Sequence, residues 1–221
     1  MSDILSSDGK VLNSKKIYLA ILTSGDIRIG LAIWLNKLTQ VYPHPLTLDF
    51  AYREPIQSNR NAIVQKFLAT DCTHLIMIDA DMVPPPDMLK LLDLDKDFIS
   101  PLYMGWQNGA LMPFAIRFKD EIGGEFEFVG GSGLQEVDLA PGGAMMIKRR
   151  VLEKIKRPFE VCYDDKGIAL RSEDMEFSRK LKKAGFKMWV HMNYISSHFK
   201  KINTESVYSY LQQKLTDNKG R

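Results

Sequence analysis

Asp79 and Asp81 stand two residues apart, directly after the apolar run His74-Leu75-Ile76-Met77-Ile78. In extended backbone, residues two apart face the same side, so these carboxylates can converge while Ala80 points away. Carboxylates are hard oxygen ligands suited to Mg2+ or Mn2+, and a nucleoside diphosphate supplies further oxygens. A cation bound there would neutralise charge developing on a departing diphosphate. Asp81 lies farther beyond the strand and is the preferred direct ligand. Asp79 then contacts a donor sugar or ribose, or works through water. An isolated aspartate pair is more often an ordinary loop or salt-bridge feature. The preceding strand, the exit at Pro84-Pro85-Pro86 and the later acidic and histidine elements reverse that balance.

Further groups could serve the same chemistry. Arg60 follows a polar turn and carries a guanidinium fork able to hold phosphate or to orient a carboxylate. In isolation, a structural ion pair is the slightly better reading of it. Arg53 is the less secure of the two arginines and could simply end a strand. His198 could ligate a divalent ion through a neutral imidazole, although a lone histidine is usually a surface or hydrogen-bonded core residue. Glu173 and Asp174 open a segment whose Phe177, Leu181 and Ala184 share one helical face. Acidic residues favour a helix start electrostatically, and that role competes with catalysis. Asp174 is the preferred inner acid, with Glu173 next. No Cys or His cluster has zinc-site spacing.

The surrounding pattern supplies elements to hold these groups. Ile17 to Leu22 reads as a buried strand that turns at Thr23-Ser24-Gly25-Asp26. Arg28 to Val41 suits a helix, halted by Pro43 and Pro45. Leu46 to Ala51 gives a second strand, and Ile63, Val64, Phe67 and Leu68 form a helical stripe. His74 to Ile78 is the clearest central strand, followed by a short helix at Met88–Leu92 and a strand at Phe98–Tyr103. Pro113–Phe118 and Glu125–Val129 read as short strands joined by Gly123-Gly124. Gly130-Gly131-Ser132-Gly133 and Pro141-Gly142-Gly143 mark turns or close backbone approaches, and a helix carrying Val151, Leu152 and Ile155 follows Met145-Met146-Ile147. This alternation predicts an α/β fold, a central mixed and mostly parallel sheet flanked by helices, with the site beyond the carboxyl ends of the strands.

The 221 residues allow one domain over 1–221, with a core at about 17–200 and a C-terminal helical extension. Thirty Lys and Arg against 27 Asp and Glu leave a net charge of only +3, so a nucleic-acid partner is not expected. The basic tracts Lys148-Arg149-Arg150 and Lys180-Leu181-Lys182-Lys183 read as solvated helix faces. Cys72 and Cys162 lack the density of a disulfide scaffold, and a reducing, cytoplasmic setting is expected. No apolar stretch has the length to cross a bilayer, which leaves peripheral membrane contact open.

Several segments in order resemble a nucleotide-diphospho-sugar glycosyltransferase of the A-type fold. They are Gln57-Ser58-Asn59-Arg60-Asn61, Ile76-Met77-Ile78-Asp79-Ala80-Asp81-Met82, Gly142-Gly143-Ala144-Met145-Met146-Ile147, Ser172-Glu173-Asp174 and Ser197-His198. The resemblance runs from residue 17 to about 200. Within the family it leans toward the amino-terminal domain of a large algal-virus protein, which would place the chain in host-cell cytoplasm. It implies a divalent metal, Mn2+ or Mg2+, on Asp79, Asp81 and His198. It implies a sugar donor, UDP-linked by expectation, whose base or ribose meets Thr23, Ser24 and Asp26 and whose phosphates are helped by Arg60. Glu173 and Asp174 then approach the reactive sugar or a glycan acceptor, with a slight preference for retention of configuration.

Two other classes compete. Sugar-nucleotide-forming nucleotidyltransferases use an acidic metal site on a similar sheet, but usually place a glycine-rich segment with a basic residue after the first strand. Thr23-Ser24-Gly25-Asp26 lacks that cradle. A nucleotide- or glycan-binding module without catalysis is the third reading.

Overall fold

The segment Ile17–Leu22 is apolar throughout and buried throughout. Its side chains alternate, Tyr18, Ala20 and Leu22 entering one half of the core and Ile17, Leu19 and Ile21 the other. A strand buried on both faces needs a cover on each side, and the helices provide it. The computed structural model describes residues 15–42, 45–107, 109–120, 125–200 and 204–219. The expected Gly123-Gly124 connection, Pro43 and most of the amino-terminal segment lie outside the described residues.

In chain order the main strands are β1 (Ile17–Leu22), β2 (Leu46–Ala51), β3 (His74–Asp79), β4 (Met82–Val83) and β5 (Phe98–Gln107). Short strands β6 (Ala110–Pro113), β7 (Ile116–Phe118), β8 (Phe126–Phe128) and β9 (Leu134–Val137) precede β10 (Ala144–Lys148). A small hairpin of β11 (Cys162–Tyr163) and β12 (Ala169–Arg171) comes before the long β13 (Met188–His198). The central sheet runs β2-β1-β3-β10-β5-β13-β4. Strands β2, β1 and β3 are mutually parallel, β5 and β13 are parallel, and β10 lies antiparallel between β3 and β5. The fold is the expected mixed, mostly parallel α/β sheet. Strands β6 and β9 were not expected; they extend the sheet by pairing with β5 and β13.

One face is covered by α2 (Ile56–Leu68), α3 (Arg149–Lys154) and α4 (Glu173–Lys183), through Ile63, Val64, Phe67, Val151, Leu152, Phe177 and Leu181. The other is covered by α1 (Ile29–Val41) through Leu31, Trp34, Leu35 and Leu38, and by a 3-10 helix at Met88–Leu94. A further helix, α5 (Thr204–Lys219), follows β13, and its Tyr210 ring meets Trp106 edge-on. No helix among the described residues is long and apolar enough to cross a membrane.

The tract Lys148-Arg149-Arg150 differs from the solvated helix face expected of it. Lys148 closes β10, and Arg149 turns inward to donate hydrogen bonds to the carbonyls of Leu68 at 3.3 Å, Phe67 at 3.3 Å and Cys72 at 2.9 Å. The last carbonyls of α2 have no partner within their helix, and a cation there satisfies them and complements the helix dipole.

The sheet's edge is what positions the chemistry. The carboxyl ends of β1, β2 and β3 lie together, and the antiparallel register of β10 sets Ala144 opposite Ile78. Gly142-Gly143 therefore arrives at the same edge as Asp79. At the far side, β13 pairs with β4 so that His198 stands opposite Met82, the residue after Asp81. A shift of register between His191 and Ile195 re-aims the end of β13.

Candidate active site

Backbone bonds hold the Asp79-Ala80-Asp81 segment from every side. The Asp79 amide donates to the Gly143 carbonyl at 2.9 Å and the Ala80 amide to the Leu22 carbonyl at 2.9 Å. The Arg28 amide reaches the Ala80 carbonyl at 3.1 Å, and the Phe199 amide reaches the Asp81 carbonyl at 3.0 Å. The side chains of Arg28 and Phe199 then stack on one another, 5.3 Å from guanidinium carbon to ring centre.

Asp79 is turned inward. Its Oδ2 accepts from Arg60 at 3.4 Å, while its Oδ1 is shielded from solvent and finds no partner among the described residues. Burial raises the Asp79 carboxyl above the usual range, against the pull of Arg60, and the charge on Asp81 adds to the rise. Asp81 is more open, its side chain 40% exposed, and its Oδ2 lies 3.4 Å from Nε2 of His198. Although burial works the other way, the His198 hydrogen bond and the nearby Lys200 charge hold the Asp81 carboxyl below its ordinary value.

Arg60 is almost fully enclosed, at 3% exposure. Its guanidinium donates to Glu173 at 3.0 Å, to Asp79 at 3.4 Å and to the Gly142 carbonyl at 3.2 Å. Its Nε is sealed without a partner. Burial alone would weaken the Arg60 charge, but the carboxylates of Asp79, Glu173 and Asp174 outweigh it and raise the affinity for the proton. The expected donor-binding arginine is thus engaged with protein groups in the structure. Gly142 makes this possible, because a Cβ there would stand 3.0 Å from Asp174 Oδ2 and 3.2 Å from an Arg60 nitrogen. Gly143 likewise leaves room for the Met82 sulfur and the Tyr103 ring. The expectation of close backbone approach at these glycines describes what is seen.

Glu173 and Asp174 are the first residues of α4, after Ser172. The Ser172 hydroxyl donates to Asp174 rather than capping the helix. Glu173 faces Arg60, with its side chain 14% exposed. Arg60 therefore joins the helix acids to the aspartate at the strand end.

Thr23 is committed to its own turn: its hydroxyl donates to the Asp26 carbonyl at 2.8 Å and accepts from the Gly25 amide at 3.0 Å. Thr23 and Ser24 line an open cleft of about 580 Å³ with Arg53, Glu54, Pro55, Ile56, Asn59, Asp79, Ala80 and Asp81. Asp26 is exposed in the same turn but is not part of that lining. Arg53, weighed lightly on sequence, stands in this wall. A larger depression of about 720 Å³ is lined by Arg171, Glu176, Lys180 and Lys182, which are already ion-paired on the protein. The smaller cleft is the one that gathers Thr23, Ser24, Asp79 and Asp81.

Tyr103 is the residue that sequence reasoning passed over. It was read only as the end of a strand, yet its ring meets His198 edge-on at 4.6 Å. Its place at the carboxyl end of the strand read from the sequence, Phe98–Tyr103, was the available signal.

Among the described residues no group of three or more His, Cys, Asp or Glu side chains is gathered as a self-sufficient metal cage. The donor set is nevertheless of the right kind for a hard cation, with an unpartnered Asp79 oxygen, an open Asp81 carboxylate and an imidazole beside it. Ligand oxygens would have to complete the coordination.

No protein-family model matches the sequence, and a search of curated proteins gives no match. Among solved structures, the crystal structure of A197 from STIV is similar at 21% identity and a TM-score of 0.57, over 84% of this chain and 86% of that one. This likeness shows the fold. The nucleoside-diphosphate-sugar pyrophosphorylase from Vibrio cholerae RC9 aligns at 11% identity and a TM-score of 0.49, over 95% of this chain and 91% of that one. An apo-UDP-glucose pyrophosphorylase aligns at 9% identity and a TM-score of 0.42, over 91% and 82%.

Proposed function

We propose that the cleft beside Asp79 and Asp81 binds a nucleoside-diphosphate sugar, and that the chain is an enzyme transferring the sugar to an acceptor hydroxyl, on a glycan by expectation. The observation that supports this most is the link through Arg60 from Asp79 at the strand end to Glu173 at the start of α4. It supports reading Glu173 and Asp174 as an acid pair beside the leaving-group site.

Asp79 and Asp81 would hold Mn2+ or Mg2+, with His198 completing the protein's share. A cation there supplies neutralising charge for the diphosphate that leaves. Thr23, Ser24 and Asp26 would meet the base or ribose, and a UDP-linked donor is the first to test. Asp174 is the group assigned to the reacting centre. With inversion it removes the acceptor proton, from roughly 2.6–3.2 Å or through one water. With retention, the version the family resemblance favours, it stabilises positive charge on the sugar while the acceptor enters on the leaving-group face. Arg60 keeps Glu173 and Asp79 paired and in place.

Sugar-nucleotide formation is the second reading. Arg53 lines the cleft beside Thr23 and Ser24, a cation of the kind such enzymes usually carry after the first strand. It is also the reading that the pyrophosphorylase names among the similar structures fit. One assay separates the two: incubation with a panel of UDP- and GDP-sugars, Mn2+ or Mg2+ and candidate acceptors, with product analysis. Released nucleoside diphosphate supports sugar transfer. Pyrophosphate-dependent release of nucleoside triphosphate supports nucleotidyl transfer. Tight binding with neither product leaves a binding module. The anomeric configuration of the product, read by NMR, decides retention against inversion.

A further inference from the structure

Tyr103 stands among the charged groups of the site with its ring fixed and its hydroxyl uncommitted. The ring packs against His198 at 4.6 Å and Phe114 at 5.2 Å, and its Cε1 is 3.2 Å from where a Cβ on Gly143 would be. The residue is 8% exposed. Packing of this kind holds the ring in place. No described residue exchanges a hydrogen bond with its hydroxyl. A phenol keeps its proton at neutral pH, so the hydroxyl is a donor, and the carboxylates of Asp174, Asp79 and Asp81 lie near enough to act on it electrostatically.

The neighbouring groups restrict what it can donate to. Asp79, Asp81 and Asp174, when ionised, only accept. The Arg60 nitrogens are occupied by Glu173, Asp79 and Gly142 or are sealed. Tyr103 is therefore a neutral donor in a setting dominated by acceptors. With the diphosphate assigned to a cation on Asp79 and Asp81, the group left for Tyr103 is a sugar hydroxyl, which is uncharged and can both donate and accept. From this geometry we infer that Tyr103 donates a hydrogen bond to a hydroxyl of the donor sugar while a carboxylate beside it accepts from that sugar, so that the pair discriminates the sugar rather than the nucleotide. This rests on the sugar-nucleotide reading above and names a specificity residue within it.

Tyr103→Phe removes one oxygen and keeps the ring. The test is calorimetric binding of UDP, UDP-glucose, UDP-galactose and UDP-N-acetylglucosamine in Mn2+ to wild type and to the variant, with melting temperatures of both. The expected result is a loss of about 5- to 15-fold in affinity for the preferred sugar nucleotide, the worth of one hydrogen bond. UDP affinity should stay within about twofold and the melting temperature within about 2 °C, as nothing internal is broken. An equal loss for UDP, no loss for any sugar nucleotide, or a clear drop in melting temperature overturns the assignment. Failure of the wild type to bind any of the four probes overturns the sugar-nucleotide reading, and the role of Tyr103 with it.

Discussion

Arg60 donates to Glu173 at 3.0 Å across 113 residues of sequence, in a place where the arginine is almost wholly removed from water. The same guanidinium touches Asp79. The helix acids and the strand-end aspartate are thus parts of one buried ionic network, and a change at its centre should be felt at both ends.

Replacing Arg60 by Met leaves Glu173 and Asp79 without their cation. Removing one partner of a buried pair costs about 3–5 kcal/mol, because the remaining charge stays desolvated. Urea denaturation of Arg60→Met should show a loss of that order, and adding Glu173→Gln should recover part of it. A loss under about 1 kcal/mol would mean the network is solvated.

Gly142→Ala tests the same network by crowding. The new methyl would stand 3.0 Å from Asp174 and 3.2 Å from Arg60, both side-chain ends that can shift. Overpacking of this sort costs about 1–3 kcal/mol. Turnover should fall by more than the stability loss explains, about 10-fold or greater, since displaced catalytic groups are costly in rate. Melting curves and kinetics of one preparation check both expectations.

Arg149 is the prediction farthest from the site. Arg149→Met removes the cation from the end of α2 and takes this donor from the carbonyls of Leu68 and Cys72, while the Phe67 carbonyl keeps the Thr70 amide and hydroxyl. A stability loss of about 1–3 kcal/mol is expected, with donor affinity unchanged within about twofold. Chemical denaturation and calorimetry measure the two.

His74 gives a pH signature unrelated to catalysis. Burial first, then the Lys148 and Lys15 charges, lower its value from 6.5 to about 4. As pH falls through 6.5 the unfolded ring takes up a proton, while the folded ring stays neutral until about 4. Stability present above 6.5 is therefore lost progressively toward pH 4. After allowance for screening of a partly exposed ring, the loss is about 1–2 kcal/mol. The stability difference between wild type and His74→Gln, followed over this range, should change by that amount in that direction.

The sheet was legible because its strands are written as uninterrupted apolar runs: Ile17–Leu22 and His74–Ile78 need no context to read as buried. The carboxylates at Asp79 and Asp81 were legible for the same reason, polar groups placed at the end of such a run. What one-dimensional pattern could not show is contact across the chain. For Arg60 the local pattern slightly favoured a structural ion pair, but nothing local named Glu173 or Gly142 as its partners, and the donor-binding role came from the family resemblance. Arg149 read as surface because the carbonyls it caps belong to a helix some 80 positions away. Tyr103 ended a recognisable strand, but only the pairing of β13 with β5 and β4 brings His198 against it. The short strands β6 and β9 escaped because a few residues of mixed polarity carry no period.

The account depends on a cation and a diphosphate meeting at the end of β3. Crystals grown or soaked with Mn2+ and UDP, with anomalous scattering collected for the metal, examine this directly. The prediction is a manganese peak within coordination distance of an Asp81 oxygen and of the UDP phosphates, lost in Asp81→Asn. UDP bound elsewhere, or bound in the cleft with no metal near Asp79 or Asp81, would contradict it.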